Sequence, residues 1–536
     1  STRHKHKDFF FIIISDSPLQ PMRKYSPSHP PDAFPTLASK LLIFTSALYL
    51  FSYITADPDL WGHLKFGADH WQSGELAQTD PYSFTAHGNQ WINHEWLVEL
   101  IFYLIYRVFG DAGLLIGKLA IGLGIVWILL KICDMRRRTP LALAFGMVLA
   151  IYTVRKGFMV RPQVFSFLFF ALFLYIFHLK FFKGKDRLFL LPLLMAVWVN
   201  LHGGFLMGWA LVIGVAGWKT LERVAFRKSV PGLGRLWLVV LAVSLATLVN
   251  PYGYRLLVFL YQTLSLPRAI TEWAPVELRG FSDFRFKIMA AVFLALLAMN
   301  IRRVEGWEAA AIGALLFAAF RHQRHMPFFA MAAAPFLVHW LSETGTSLKK
   351  RMPQAALGRT AEISLVVAFI LLSGYQLYNG IFIYVAGKGR IIVNPGEYPV
   401  GAVRFLKAND ARGNLLLPFT WGEYAIWHLY PDCRVSIDGR FRTAYPEPVI
   451  KDHFVHKADA AGWKRLMAKY PADIVLARQS RFFHDLIGRT KEWVYVYSDR
   501  TAIVFLRNNG TNAELLDRFK KNAVNRTKEP ASVYFP

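Results

Sequence analysis

Long apolar runs separated by short polar or basic loops set the pattern of this chain from about residue 38 to residue 386. They lie near 38–54, 95–109, 112–132, 139–154, 163–182, 187–200, 203–220, 235–249, 284–300, 306–320, 326–342 and 361–386. Most approach the roughly 20 apolar residues a helix needs to cross a hydrocarbon layer. From about Val400 the runs shorten to strand length. GNLLLPF (413–419), CRVSID (433–438), DIVLA (473–477), WVYVYS (493–498) and TAIVFLR (501–507) read as strands, and 399–409, 447–458 and 460–469 as helices between them. The expected fold class is an α-helical polytopic membrane protein with a C-terminal α/β domain.

The loops decide which runs cross. If every run spanned, Arg136-Arg137-Arg138, Lys183/Lys185/Arg187, Arg223/Arg227/Lys228, Arg302-Arg303 and Lys349-Lys350-Arg351 would lie outside with loop 55–94. That opposes the tendency of basic loops to stay in the cytoplasm. The run least able to span is 95–109, WLVELIFYLIYRVFG, which is short and carries Glu95, Glu99 and Arg107. It reads as an interfacial helix on the outer surface. About eleven transmembrane helices then remain, with the N-terminus cytoplasmic and the chain beyond Tyr384 periplasmic or extracellular. The expected divisions are a disordered cytoplasmic leader (1–37), a transmembrane domain (38–386), an outer α/β domain (387–510) and a polar tail (511–536). Within the second, 55–109 forms the first outer loop and its interfacial helix.

Composition agrees with membrane residence: 54% of residues are hydrophobic and mean hydropathy is +0.29. The net charge of +26 would suggest nucleic acid in a soluble chain, but here the basic residues fill short loops between apolar runs, as a bilayer requires. Nucleic acid is set aside as a partner; the membrane takes its place. The two cysteines, Cys133 and Cys433, give no disulfide framework.

Acidic residues are scarce, yet Asp57, Asp59, His63, Asp69, Glu75, Asp80, His87, His94 and Glu95 gather between 57 and 95. Asp57-Pro58-Asp59 sits where the chain leaves the first span, and Pro58 stops the helix from continuing. Two partly desolvated carboxylates there could act as a general base or hold a divalent cation such as Mg or Mn. The competing reading is a plain helix exit, which acids at a helix C-terminus disfavour. In Asn93-His94-Glu95-Trp96, His94 and Glu95 could position a substrate or metal, or Asn93 could simply cap a helix. No HExxH spacing follows, because residue 98 is Val98. Asp80, in Thr79-Asp80-Pro81, is either a substrate contact or a turn residue. His63 is grouped with these as a substrate-binding residue.

The outer loops also carry Arg155, Lys156 and Arg161, then His202, then Arg321, His322, Arg324 and His325. Basic residues on the side where they are disfavoured could bind a phosphate at headgroup depth, or merely snorkel to lipid headgroups. No Walker, GxGxxG, GxSxG or CxxC pattern points to a soluble nucleotide or hydrolase site.

An acidic pair after the first span, a long first loop ending in an interfacial helix, about eleven spans and an outer C-terminal domain resemble the GT-C superfamily of membrane glycosyltransferases. That superfamily includes the protein O-mannosyltransferases, the aminoarabinose transferase of lipid A and the catalytic subunits of oligosaccharyltransferase. DPDLWGHLKFG, TDPYSFT, NHEWL and PFTWGEYAIWHLYPDCRVSIDGRF look like a group of bacterial members. The resemblance implies a hexosyl- or pentosyltransferase of the inner membrane. Its donor would be a polyprenyl-phosphate-linked sugar and its acceptor an envelope glycan, lipid or protein. Asp57 or Asp59 would be the base of one inverting displacement, and the outer arginines would hold the lipid phosphate. Trp421-Gly422-Glu423-Tyr424 is faintly similar to the WWDYG motif of oligosaccharyltransferases, with the acid displaced behind Gly422. The principal rival is a transporter or flippase of a lipid-linked envelope precursor. A third reading is a scaffold in which Asp438-Gly439-Arg440 and Trp427 bind an envelope partner; the same SIDGRF segment also reads as a strand followed by a tight turn.

Overall fold

The computed structural model describes residues 33–536 apart from 265, 267–270, 352–358, 456–459, 481–484, 486, 488, 489, 509 and 526–532. The expected leader lies outside the described residues except for its last five, which open the first helix. Thirteen helices precede the C-terminal domain among the described residues: α1 (Ala33–Phe51), α2 (Leu60–Ser73), α3 (Trp96–Cys133), α4 (Pro140–Val154), α5 (Gln163–Lys183), α6 (Leu190–Trp198), α7 (Phe205–Val224), α8 (Leu233–Ala246), α9 (Tyr254–Leu264), α10 (Phe284–Asn300), α11 (Gly306–Arg321), α12 (Met326–Arg351) and α13 (Arg359–Ala386). Five are long and apolar enough to cross a membrane: α1, α3, α4 with the turn after it, α5 and α13. The runs at 187–200 and 235–249 yield helices of only 9 and 14 residues. Each is cut short where polar or turn residues follow, at Asn200-Leu201-His202-Gly203-Gly204 and at Asn250-Pro251.

The two runs at 95–109 and 112–132 form one long element broken at Gly110, whose φ of 63° and ψ of −161° are not helical. Glycine adopts that conformation without a steric penalty. The chain thus turns where the expected interfacial helix was to end. Leu238 and Leu241 on α8, and Leu371, Tyr375 and Tyr378 on α13, are exposed, an apolar surface suited to lipid. The interior is rich in aromatic contacts, such as Phe170 against Phe328 and Trp198 against Phe169 and Phe173.

The C-terminal domain comprises β1 (Ile392–Val393), α14 (Val400–Ala408), β2 (Gly413–Leu416), α15 (Gly422–Leu429), β3 (Cys433–Val435), α16 (Glu447–Val455), α17 (Ala460–Lys469), β4 (Ile474–Arg478), β5 (Trp493–Ser498), β6 (Ala502–Arg507), α18 (Ala513–Lys520) and β7 (Val533–Tyr534). Its main sheet has the order β3-β2-β4-β6-β5. β2 runs parallel to β3 and β4, while β6 runs antiparallel to β4 and β5. All five expected strands are present. The 511–536 segment differs from the polar tail expected there: α18 buries Leu515 and Leu516, and β7 pairs with β1. Phe535 is buried 5.1 Å from the Trp61 ring. Polar residues on the outer face of α18 had masked its apolar side.

The first outer loop is built onto this domain. Thr55 bridges to Ile392, and Ser83 bridges in parallel to Val435 on the edge strand β3. Val435 N donates to Tyr82 O and Phe84 N donates to Val435 O, each at 3.1 Å. An open sheet edge is thereby covered, and residues 55–94 become one unit with the C-terminal domain.

Candidate active site

The loop reaches the site through α2, which has Asp59 at its N-cap position and ends at Gly74 in the left-handed conformation. Leu60, Trp61, Leu64, Phe66 and Ala68 are buried. A Cβ on Gly67 would overlap the carbonyl of Glu99, so glycine lets α2 lie directly on the first part of α3. That approach brings His63 to Glu99, with Nδ1 3.4 Å from Oε1.

Arg440 fixes the loop against the C-terminal domain. Its Nε and Nη2 donate to the two oxygens of Asp438 at 2.9 and 2.7 Å, and Nη1 donates to Asp80 Oδ1 at 2.6 Å. The guanidinium lies among the rings of Phe66, Tyr82, Trp91 and Tyr445 at 4.9–5.7 Å. Asp80 also accepts from Tyr82 N and Ser83 Oγ and is fully buried. It therefore does not line the cavity as a substrate contact. Its charge is used to hold the loop, because a buried carboxylate needs a cation and hydrogen-bond donors.

The two acids of Asp57-Pro58-Asp59 part company. Asp57 is 2% exposed, with Oδ2 2.6 Å from Arg161 Nε and Oδ1 accepting from Asp59 N at 3.1 Å. The Asp59 side chain is 33% exposed, with Oδ2 3.3 Å from Arg161 Nη2. Arg161 Nη1 also meets Glu272 at 2.6 Å. Burial pushes the Asp59 carboxyl up to about 6; Arg161 pulls against this while Asp57 adds to it. One arginine thus carries three carboxylates, and of the acidic pair only Asp59 faces the cavity.

A second polar cluster adjoins it. His63 Nδ1 lies 4.0 Å from Glu95 Oε2, and Glu95 Oε1 lies 3.7 Å from Nε2 of both His94 and His202. Asn93 Nδ2 donates to Glu99 Oε2 at 2.6 Å. Burial alone would raise the Glu95 carboxyl, but the charged groups around it, His94, His63 and Arg324, hold it below the usual carboxylate range. Burial lowers His202 to about 3, so its ring is neutral. His202 Nδ1 pairs with Ser166 Oγ at 2.8 Å and accepts from Gly204 N at 3.0 Å, which puts the ring proton on Nε2, toward Glu95. Ligand atoms of His63, Glu95 and Glu99 all lie within 4.8 Å of one another. One imidazole and two carboxylates could hold Mn or Zn; Mg favours an all-oxygen set and fits less well.

A cavity of about 630 Å³ joins these groups. Of the residues expected to form the site, Asp59, His63, His94, Glu95, Arg161, His202, Arg324 and His325 line it. The 3₁₀ turn at Thr271–Trp273 supplies Glu272 and Trp273, and Gln323 N bonds the carbonyl of Ala274 at 3.1 Å. Arg324 is thereby set 4.4 Å over the Trp273 ring. Among the described residues, Arg324 has no carboxylate within ion-pair distance, unlike Arg161 and Arg440. Arg155 and Lys156 lie elsewhere, in a separate cavity of about 460 Å³ with Tyr152 and Arg285. Lys156 is paired there with Asp283 and Gln323, each at 2.7 Å. The short turn after α4 directs these two residues away from the helix start that carries Arg161. Arg321 is exposed and His322 Nδ1 is bonded to Trp273 O at 2.7 Å, so neither lines the larger cavity.

Three lining carboxylic acids were not among the expected site residues: Glu99, Glu272 and Glu423. Glu423 comes from α15 of the C-terminal domain and is 5% exposed. Burial, with Asp59 and Asp438 nearby, pushes its carboxyl well above the usual range. The WGEY resemblance was the signal that could have found it.

No protein-family model matches the chain, and no curated protein matches it. Among solved structures, it is similar to the arabinofuranosyltransferase AftD from Mycobacteria, determined by cryo-electron microscopy. That match has 14% identity and a TM-score of 0.50, and covers 90% of this chain and 40% of AftD. Over that span the chain shares the fold of AftD. Two crystal structures of ArnT from Cupriavidus metallidurans also match over 88% of the chain at 12% identity. The one bound to undecaprenyl phosphate gives a TM-score of 0.49 over 97% of ArnT, and the apo form 0.47 over 96%. At these identities the likeness is one of fold.

Proposed function

We propose that the chain is a membrane glycosyltransferase that moves a sugar from a polyprenyl-phosphate donor to an envelope acceptor on the outer face of the inner membrane. Asp59 is the general base. The observation that carries this reading is the division of labour within the acidic pair. Asp57 is spent on Arg161, while Asp59 keeps a partly exposed carboxyl in the cavity, with its pKa raised toward neutrality.

In the transfer step, an acceptor hydroxyl gives its proton to Asp59 and its oxygen bonds to the anomeric carbon. The bond from that carbon to the lipid phosphate breaks, and its electron pair leaves on the phosphate. Inversion follows from one displacement. Arg324, with no carboxylate within ion-pair distance among the described residues, meets the charge that develops on the departing phosphate. Residues 95–109 lie along the outer surface in this arrangement, about eleven helices span, and the C-terminal domain sits outside with the first loop. A divalent cation held by His63, Glu95 and Glu99 would add positive charge to the same cavity.

Binding of undecaprenyl phosphate to the purified chain, followed by native mass spectrometry, tests the phosphate site. Arg324→Ala should weaken binding on the order of tenfold to a hundredfold, the worth of a charge-assisted contact, while Arg155→Ala leaves it unchanged. Equal binding by wild type and Arg324→Ala would remove Arg324 from the site.

A further inference from the structure

The C-terminal domain contributes a buried carboxyl, Glu423, to the cavity lining. Glu423 Oε2 is buried and has no hydrogen-bond partner among the described residues. Two glycines make room for this side chain, one from each half of the protein. A Cβ on Gly62 would overlap Glu423 Oε2, and a Cβ on Gly439 would lie 2.5 Å from Glu423 Oε1 and 2.6 Å from Asp59 Oδ1. Glu423 and Asp59 therefore rest against the same glycine, where neither could tolerate a side chain.

The cations nearby do not serve Glu423. Arg440 directs Nε, Nη1 and Nη2 to Asp438 and Asp80, and Arg161 holds Asp57, Asp59 and Glu272. Arg161 takes Asp59 through Oδ2, which leaves Oδ1, the oxygen beside Glu423, for another partner. Buried polar groups in folded proteins are almost always bonded, and an exception that lines a cavity is open to a ligand group that completes the set. Phe419 and Phe441 of the same domain line this part of the cavity with their rings 5.9 Å apart. Apolar walls with a few converging polar groups are the usual make-up of a small-molecule site.

We propose that Glu423 is a second substrate-binding carboxyl of the transfer site, and that the acceptor is a saccharide presenting one hydroxyl to Asp59 and the neighbouring hydroxyl to Glu423. A lone side-chain or lipid alcohol offers one such group, whereas adjacent ring carbons of a sugar offer two. The role of Asp59 here rests on the transferase reading above; saccharide binding by Glu423 does not. The C-terminal domain is then part of the acceptor site and specifies its class.

The test uses the full chain in nanodiscs, with methyl mannoside, methyl galactoside and methyl arabinofuranoside as probes beside their monodeoxy analogues. Binding is read by saturation-transfer NMR, which needs no turnover. Wild type should bind at least one glycoside on the order of tenfold more tightly than an analogue lacking a single hydroxyl. Glu423→Ala should lose that discrimination; Glu423→Gln, which keeps the side-chain volume, should retain part of it and control for folding. If both variants discriminate as wild type does, or wild type binds no glycoside, the inference is overturned. Glu423-dependent glycoside binding without turnover of any polyprenyl-phosphate sugar would support Glu423 and refute the transferase reading. Turnover with acceptors that is blind to both variants would do the reverse.

Discussion

Replacing Arg440 by Met should loosen the joint between the first loop and the C-terminal domain. The arginine side chain is 3% exposed and both carboxylates it meets, Asp80 and Asp438, are fully buried. Removing one partner of a buried ion pair costs about 3–5 kcal/mol, because the remaining charge stays out of water. Here the lower figure applies: Asp438 keeps a bond from Tyr445 Oη at 2.5 Å, and Asp80 keeps those from Tyr82 N and Ser83 Oγ. For a domain of this size 1 kcal/mol moves Tm by about 2–4 °C, so a fall of about 6–12 °C is expected. Cys433 supplies the assay, since it is buried in β3 beside the loop. A thiol-reactive dye on a Cys133→Ser background would report when that strand opens. Arg412→Ala is the control: its pair with Asp432 is exposed at 68% and 62% and contributes under about 1 kcal/mol. An Arg440→Met melt within about 2 °C of its parent would refute the account of the joint.

The rate should fall as pH drops through about 6, because Asp59 must be ionised to take the acceptor proton and burial has raised its carboxyl to that value. Arg161→Gln removes the cation that pulls this carboxyl down, so the acid limb of kcat/KM should move to higher pH by roughly 1–3 units; a limb that stays in place or moves down would contradict the assignment. Gly62→Ala should cost about 1–3 kcal/mol and displace Glu423, since the new Cβ meets Glu423 Oε2. Gly117→Ala, where nothing lies within 4 Å, should be neutral or slightly stabilising in the same thermal melt.

The strands of the outer domain were legible because alternation and β-branched content mark them locally, and β5 matches its expected span, 493–498. The break at Gly110 was foreshadowed by the charge argument, which needed 95–109 to behave differently from the run after it. α2 was missed because its polar residues, His63, Lys65, Asp69 and His70, make the sequence read as loop. Its apolar face is covered by loop rings such as Tyr82 and Trp91, by α3 and by the C-terminal domain, and the last of these lies more than 300 residues on. The same reason hid the fate of the acids. Asp57 and Asp59 are equivalent as letters, and what separates them is a guanidinium about a hundred residues away. Asp80 looked chemical because it sits in an acidic loop, yet its partner is Arg440, 360 positions on. Glu423 was passed over within a motif whose acid falls one position late, although it is that position which faces Asp59.

Turnover of a radiolabelled polyprenyl-phosphate sugar by the purified chain in lipid, for wild type and Asp59→Asn side by side, tests the central claim most directly. Wild type should release lipid phosphate and transfer the sugar, and Asp59→Asn should lose on the order of 10²–10⁴ in rate, the usual worth of a positioned general base, with undecaprenyl phosphate binding unchanged. Full turnover by Asp59→Asn, or no release by wild type from any polyprenyl-phosphate hexose or pentose, would contradict it.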